Sequence, residues 1–189
     1  MYNLIVHGDD LEDIHITDNG LDVTANSIIV QEDLDIINGF IETSYDTEDY
    51  SYVSLTDVDN AYTAASTSNY ATMTLNTGSG VESYVYFLFD CSSIPNNAII
   101  TEVNLATRCA ISSTSGLSSY TAQPFSGTTS KATAQTMTAT SSSTHDIYFT
   151  LDSCSREDLE DIKIKYYAKR SSSGSGSSSS ITMQIYGAV

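Results

Sequence analysis

The sequence predicts an all-β protein: an antiparallel β-sandwich, jelly-roll-like, preceded by a small β-hairpin region. Three observations predict it. Ser and Thr together fill 53 of 189 positions while charged residues make up only 16%, so hydroxyls supply the polar surface, and such residues suit turns and the exposed faces of strands. Apolar residues recur at period two, with almost no helix-period segment and only two prolines. Seven or more such segments, separated by hydroxyl-rich turns, can each bury a face only if two sheets stack.

In chain order, IHIT and LDVT flank Asn19-Gly20, and LDII and FIET flank Asn38-Gly39. Asn-Gly is the preferred pair where both central turn residues need positive φ, so each reads as a hairpin. SIIVQ between them is a further strand candidate. From Tyr45 to Tyr62 the pattern breaks, which predicts a linker or an irregular approach to the main domain. YATMTLNT sets Ala71, Met73 and Leu75 against polar partners. After the Gly78-Ser79-Gly80 turn, VESYVYFLFD is apolar on both faces, as in a central strand covered on both sides. AIITEVNLATRCAI places Ile99, Val103, Leu105, Cys109 and Ile111 on one face, which predicts a single long strand from residue 99 to 111. DIYFTL groups Ile147, Phe149 and Leu151; Ser155 and Asp158 then stand in capping-box spacing. IKIKYYAK directs Ile162, Ile164, Tyr166 and Ala168 inward, and its expected partner is ITMQIYG, reached through the Ser/Gly tract of residues 171–180 as a hairpin loop.

Charge divides the chain. Residues 1–107 carry 18 acidic side chains and no basic one, whereas residues 108–189 carry 6 acidic and 7 basic, for a net charge of −17. A chain this acidic does not neutralise phosphates, which excludes nucleic acid and anionic membrane as expected partners. The acidic N-terminal part reads either as a solvated face or as an anchor for a basic partner surface or cations. On this basis residues 1–56 are an acidic β-hairpin attachment region with linker, and residues 57–189 the sandwich. Alone, the first 44 residues are too short to bury a core. No apolar run approaches a bilayer-spanning length and the N-terminus lacks signal-peptide character, so synthesis and folding in a cytoplasm are expected. Cys91, Cys109 and Cys154 are an odd number without metal spacing and read as buried thiols.

The block YVYFLFDCSSIPNNAIITEVNLATRCAI resembles the strand, S-I-P-x-x-A-x-I turn, strand unit of jelly-roll modules in tailed-phage virion proteins, and more loosely of bacterial surface adhesion modules. PFSGTTSKATAQT, REDLEDIKIKYYAKRSSS and the closing IYGA extend the resemblance over about residues 62–189. In this sequence Pro95 fixes φ after Ile94 plugs the core, and Asn96-Asn97 tolerate the tight backbone before the next strand. The resemblance implies a structural protein of the virion surface, made in the bacterial host cytoplasm: a capsid decoration, head fibre or neck/tail appendage. Its partners would be other virion proteins (capsid, portal/neck or tail) and further copies of itself, for example in a trimer. The alternative it implies is a carbohydrate-binding or host-adhesion module.

Catalytic signals are weak, and a non-enzymatic protein is expected. His7, His15 and His145 are the only candidate neutral-pH bases, and no G-x-S-x-G elbow accompanies them. Asp57, Asp59 and Asn60, preceded by Asp46, Glu48 and Asp49, offer hard oxygen ligands in an irregular segment, either a calcium site or a solvated acidic loop, without the EF-hand pattern. His7 and His15 with Asp9 and Asp10 are a second, transition-metal candidate. Thirteen Tyr and no Trp are present. Tyr45, Tyr50, Tyr52 and Tyr62 cluster in the linker, where they read as subunit contacts, ordinary packing or a glycan platform.

Overall fold

A computed structural model describes residues 51–62, 68–92, 94–140, 146–172 and 180–188, and the backbone of strands at 3–4, 13–17, 20–24, 30–31 and 40–45. The strands are β1 (Asn3–Leu4), β2 (Asp13–Thr17), β3 (Gly20–Thr24), β4 (Val30–Gln31), β5 (Phe40–Tyr45) and β6 (Ser54–Thr56). There follow β7 (Ala71–Thr74), β8 (Glu82–Phe89), β9 (Asn104–Ile111), β10 (Leu117–Ser126) and β11 (Thr129–Ser130). The last are β12 (Gln135–Thr136), β13 (Thr138–Ala139), β14 (Asp146–Thr150), β15 (Ile162–Arg170) and β16 (Thr182–Ala188). Short 3-10 turns occupy Val58–Tyr62 and Asp158–Asp161.

Two six-stranded sheets build a β-sandwich. One runs β11-β10-β15-β8-β5 with β12 beside β10, the other β13-β9-β16-β7-β6 with β14 beside β9. All of these pairings are antiparallel except β13 with β9. The long strands from β7 to β10 alternate between the sheets, as do β14, β15 and β16, which is the jelly-roll-like way of stacking two antiparallel layers. Inward side chains follow the period-two pattern: Val85, Phe87, Ile164 and Tyr166 from one sheet meet Ala71, Met73, Leu105, Cys109, Ile111, Met183 and Ile185 from the other. Tightness at the turns is visible at Gly78, whose φ is +122° and where a Cβ would stand 2.9 Å from Val81 Cγ2.

Several sequence expectations change at this level. β15 and ITMQIYG are not hairpin partners: β15 lies between β10 and β8, while β16 lies between β9 and β7 in the opposite sheet. Both strands bury an inward face on the same core, so the Ser/Gly tract carries the chain from one layer to the other. The long strand expected from residue 99 begins only at Asn104, because its ladder with β14 begins there and that with β16 only at Thr107. Ile99 is accordingly 57% exposed and Val103 half-buried, whereas Leu105 is 5% exposed.

FIET joins the sandwich. β5 pairs with β8, with Phe40 opposite Phe89 and Tyr45 opposite Phe87; LDII and Asn38-Gly39 lie outside the described residues. The β2–β3 hairpin forms, but Thr17 pairs with Gly20, so Gly20 closes the ladder instead of standing within the turn. Val30 of SIIVQ pairs with Leu4 of β1. Through β5 and β6 the two sheets take in residues 40–45 and 54–56 from the stretch that the sequence groups with the attachment region.

Local capping follows the sequence. Asp158 N–H donates to Ser155 Oγ at 3.1 Å, and Ser155 N–H donates to Asp158 Oδ2 at 2.8 Å, the reciprocal pair of a capping box. The Ser-Ile-Pro-Asn-Asn turn closes with Ala98 N–H donating to the Pro95 carbonyl at 3.0 Å, over a buried Ile94.

Candidate functional site

Between β5 and β7 the acidic N-terminal region straps across the sandwich at residues 51–60. Ser51 forms an antiparallel bridge with Tyr84 of β8, the two exchanging N–H···O bonds of 2.9 and 2.7 Å. Two residues on, Val53 N–H donates to the Thr74 carbonyl at 2.8 Å, and β6 continues alongside β7. The strap thus crosses from one sheet to the other within a few residues. Polar side chains lock the crossing: Asn76 Nδ2 donates to Ser51 Oγ at 2.8 Å, Ser51 Oγ donates to the Glu82 carbonyl at 3.0 Å, and Asn76 N–H donates to Ser83 Oγ at 2.9 Å. The buried Arg170 completes the group, its Nε donating to the Asn76 carbonyl at 3.1 Å. Together these side-chain bonds hold the junction in one geometry.

Asp57, Asp59 and Asn60 follow directly. Asp57 has a φ of +56°, which Asp tolerates better than most residues, and its carbonyl accepts from Asn60 N–H at 3.0 Å. Asn60 Nδ2 donates to the Tyr70 carbonyl at 3.2 Å, so its amide is committed to the fold, while Asp57 and Asp59 are exposed. Among the described residues no three His, Cys, Asp or Glu side chains stand close enough to hold a metal. Asp46, Glu48 and Asp49, like His7, Asp9 and Asp10, lie outside the described residues, and His15 is described only as backbone in β2. Of the linker tyrosines, Tyr52 is half-buried against the core and Tyr45 ends β5; Tyr50 and the side chain of Tyr62 lie outside the described residues.

A second polar constellation covers the outer face of the β8–β15–β10 sheet. The register puts Lys165 opposite Tyr86 and Tyr167 opposite Tyr84. Lys165 Nζ stands 4.4, 5.2 and 5.3 Å from the ring centroids of Tyr84, Tyr86 and Tyr167, within cation–π range. Lys163 Nζ lies 5.3 Å from the Tyr86 ring, whose edge contact with Phe125 has centroids 5.9 Å apart. Lys163 points outward as the alternation predicts, yet it is only 9% exposed. The alternating Lys and Tyr residues were visible in the sequence; that they stack follows from a register between strands far apart in the chain.

Sequence reading also missed the role of Arg156. Its Nε donates to the Ile94 carbonyl at 3.2 Å and its NH2 group to Asn96 Oδ1 at 3.3 Å, and it lies 3.7 Å from Glu160. It therefore clamps the Ser-Ile-Pro-Asn-Asn turn to the 3-10 turn at 158–161.

Asp146 accepts from Arg108, NH2 to Oδ2 at 2.9 Å, and His145 lies outside the described residues. Burial raises all three thiols, Cys91 to about 11. No helix among the described residues is long and apolar enough to cross a membrane. No protein-family model matches the sequence, and no curated protein matches it.

Proposed function

We propose that the chain is a non-enzymatic structural protein of a tailed-phage virion, attached through its acidic N-terminal region and displaying the β-sandwich outward as a capsid decoration, head fibre or neck/tail appendage. The observation that carries the attachment half of this reading is the charge division: residues 1–107 hold 18 acidic side chains and no basic one, while all seven cations lie in residues 108–189. Five form ion pairs: Arg108 with Asp146, Lys131 with Asp158, Arg156 with Glu160, Lys163 with Asp161 and Lys169 with Glu82. Lys165 lies over three tyrosine rings and Arg170 on the Asn76 carbonyl. Among the described residues Glu82 is the one acid of the first 107 that enters an ion pair. An acidic stretch of this kind is suited to docking on a basic surface. The virion setting rests on the resemblance of the strand, turn, strand block around Pro95.

The experiment is a mass-spectrometric inventory of purified particles and their subassemblies. Stoichiometric copies in one subassembly, released by salt, support the proposal. Absence from particles, together with retention of the isolated protein on a polysaccharide column, overturns it in favour of a glycan-binding or adhesion module.

A further inference from the structure

Tyr148 is 72% exposed, on a strand whose neighbours Ile147 and Phe149 are buried in the core. β14 lies along β9, with Asp146 opposite Arg108, Tyr148 opposite Ala106 and Thr150 opposite Asn104. All six residues belong to the outward rows of the two strands, so they form a small grid: an aromatic ring beside a methyl group in the middle, and a polar pair at each end. At one end Arg108 donates to Asp146 through both Nε and NH2. At the other, Thr150 Oγ1 donates to Asn104 Oδ1 at 2.9 Å, and Asn104 Nδ2 donates to Glu102 Oε1.

From this arrangement we infer that the β14–β9 face is a subsite for a neutral hexose unit of a polysaccharide, with Tyr148 as the stacking platform. Outward residues two apart on a strand are roughly 7 Å from each other. A pyranose laid on the Tyr148 ring therefore directs its hydroxyls toward the planar guanidinium–carboxylate pair on one side and the amide–carboxylate pair on the other. These groups offer both donors and acceptors in fixed planes, held by hydrogen bonds made before any ligand arrives. Beside Tyr148, Ala106 contributes only a methyl group. The two carboxylates against one guanidinium disfavour an anionic sugar, which selects a neutral one. Around one ring and one methyl group the grid is polar, unlike the apolar centre of a protein interface. This subsite goes beyond the virion reading, and its failure leaves the particle inventory unaffected.

The test is affinity electrophoresis of the full chain through gels containing a soluble glucan, mannan or galactan, with a polyuronate as the anionic control. At least one neutral polymer should retard the protein. Tyr148→Ala should weaken that retardation roughly tenfold or more, the loss of one stacking contact, while Tyr148→Phe retains it. An unchanged melting temperature for Tyr148→Ala separates binding from folding, as expected for so exposed a side chain. Absence of retardation by all three neutral polymers, equal retardation of Tyr148→Ala, or equal retardation by the polyuronate overturns the inference. So does a Tyr148→Ala variant whose only change is a smaller sedimentation coefficient, which would make the face a protein contact.

Discussion

The Tyr166 hydroxyl and Thr107 Oγ1 meet at 2.6 Å across the two sheets, inside the core. Thr107 Oγ1 uses its own proton on the Gly187 carbonyl at 2.9 Å, so Tyr166 is the donor of the pair. Gly187, with φ at +144°, follows the register shift between Ile185 and Gly187 in β16, and the bulge places that carbonyl within reach of Thr107. Thr107→Val leaves both the Tyr166 hydroxyl and the Gly187 carbonyl buried without this partner and is expected to destabilise by about 2–4 kcal/mol in urea unfolding. Tyr166→Phe removes the donor itself and is expected to cost less, about 1–2 kcal/mol. The double variant should cost less than the sum of the two, because the unpaired hydroxyl is gone. Additive losses would show that the two groups do not act as a pair.

Arg156 ties the Pro95 turn to the 3-10 turn at 158–161. Arg156→Ala is expected to lower stability by about 1–2 kcal/mol through the loss of bonds to Ile94 and Asn96. Lysine at 156 should recover little, since a point charge cannot reproduce the planar fork. Full recovery in thermal unfolding would mean that charge alone, not the guanidinium geometry, holds the turn.

The hydrogen bond from Lys131, reinforced by Ser155, holds the Asp158 carboxyl well below its usual range. A carboxylate with a depressed folded-state pKa stabilises fully above its unfolded value, near 4, and loses that contribution as pH falls toward the folded value. The stability gap between the natural chain and Asp158→Asn should therefore be constant from neutral pH down to about pH 5 and shrink below about pH 4. A gap independent of pH down to acid unfolding would contradict this.

Because the tract from residue 171 to 180 connects opposite sheets, stacked about 10 Å apart, it cannot be reduced to a hairpin turn. Replacing 173–179 by four Gly/Ser residues is expected to change stability by less than about 1 kcal/mol, whereas a two-residue turn in place of 171–180 should destabilise severely or block folding. Equal tolerance of both would argue that β15 and β16 are neighbours after all.

Starting the chain at residue 57 removes β5, β6 and the Ser51 bridge to Tyr84, and leaves Asn76 Nδ2 without its Ser51 partner. That truncation is expected to be markedly less stable than one starting at residue 40, measured by thermal unfolding. Equal melting temperatures would place the boundary of the sandwich after the strap.

The period-two pattern by itself determined that Met73, Ile164 and Tyr166 face a core and that Ile147 and Phe149 share its side, and residue spacing alone that Ser155 and Asp158 cap each other. These are properties of adjacent residues: alternation fixes which side a side chain takes once a segment is extended, and a cap needs only a three-residue separation. The charge division and the inert character of Cys109 were legible for the same reason. Tertiary structure decided which strand lies beside which. It placed β16 opposite β15 instead of next to it, joined FIET to β8, and ended the β9 ladder at Asn104, leaving Ile99 exposed. It also created the groupings that carry the functional reading: Lys165 over three tyrosines, Arg156 on the Pro95 turn, and Tyr148 between Asp146 and Thr150 on the face shared with Arg108 and Asn104. Each depends on a register between segments tens of residues apart, set by competition among many strands of similar alternation for one core, and no local pattern encodes the winner.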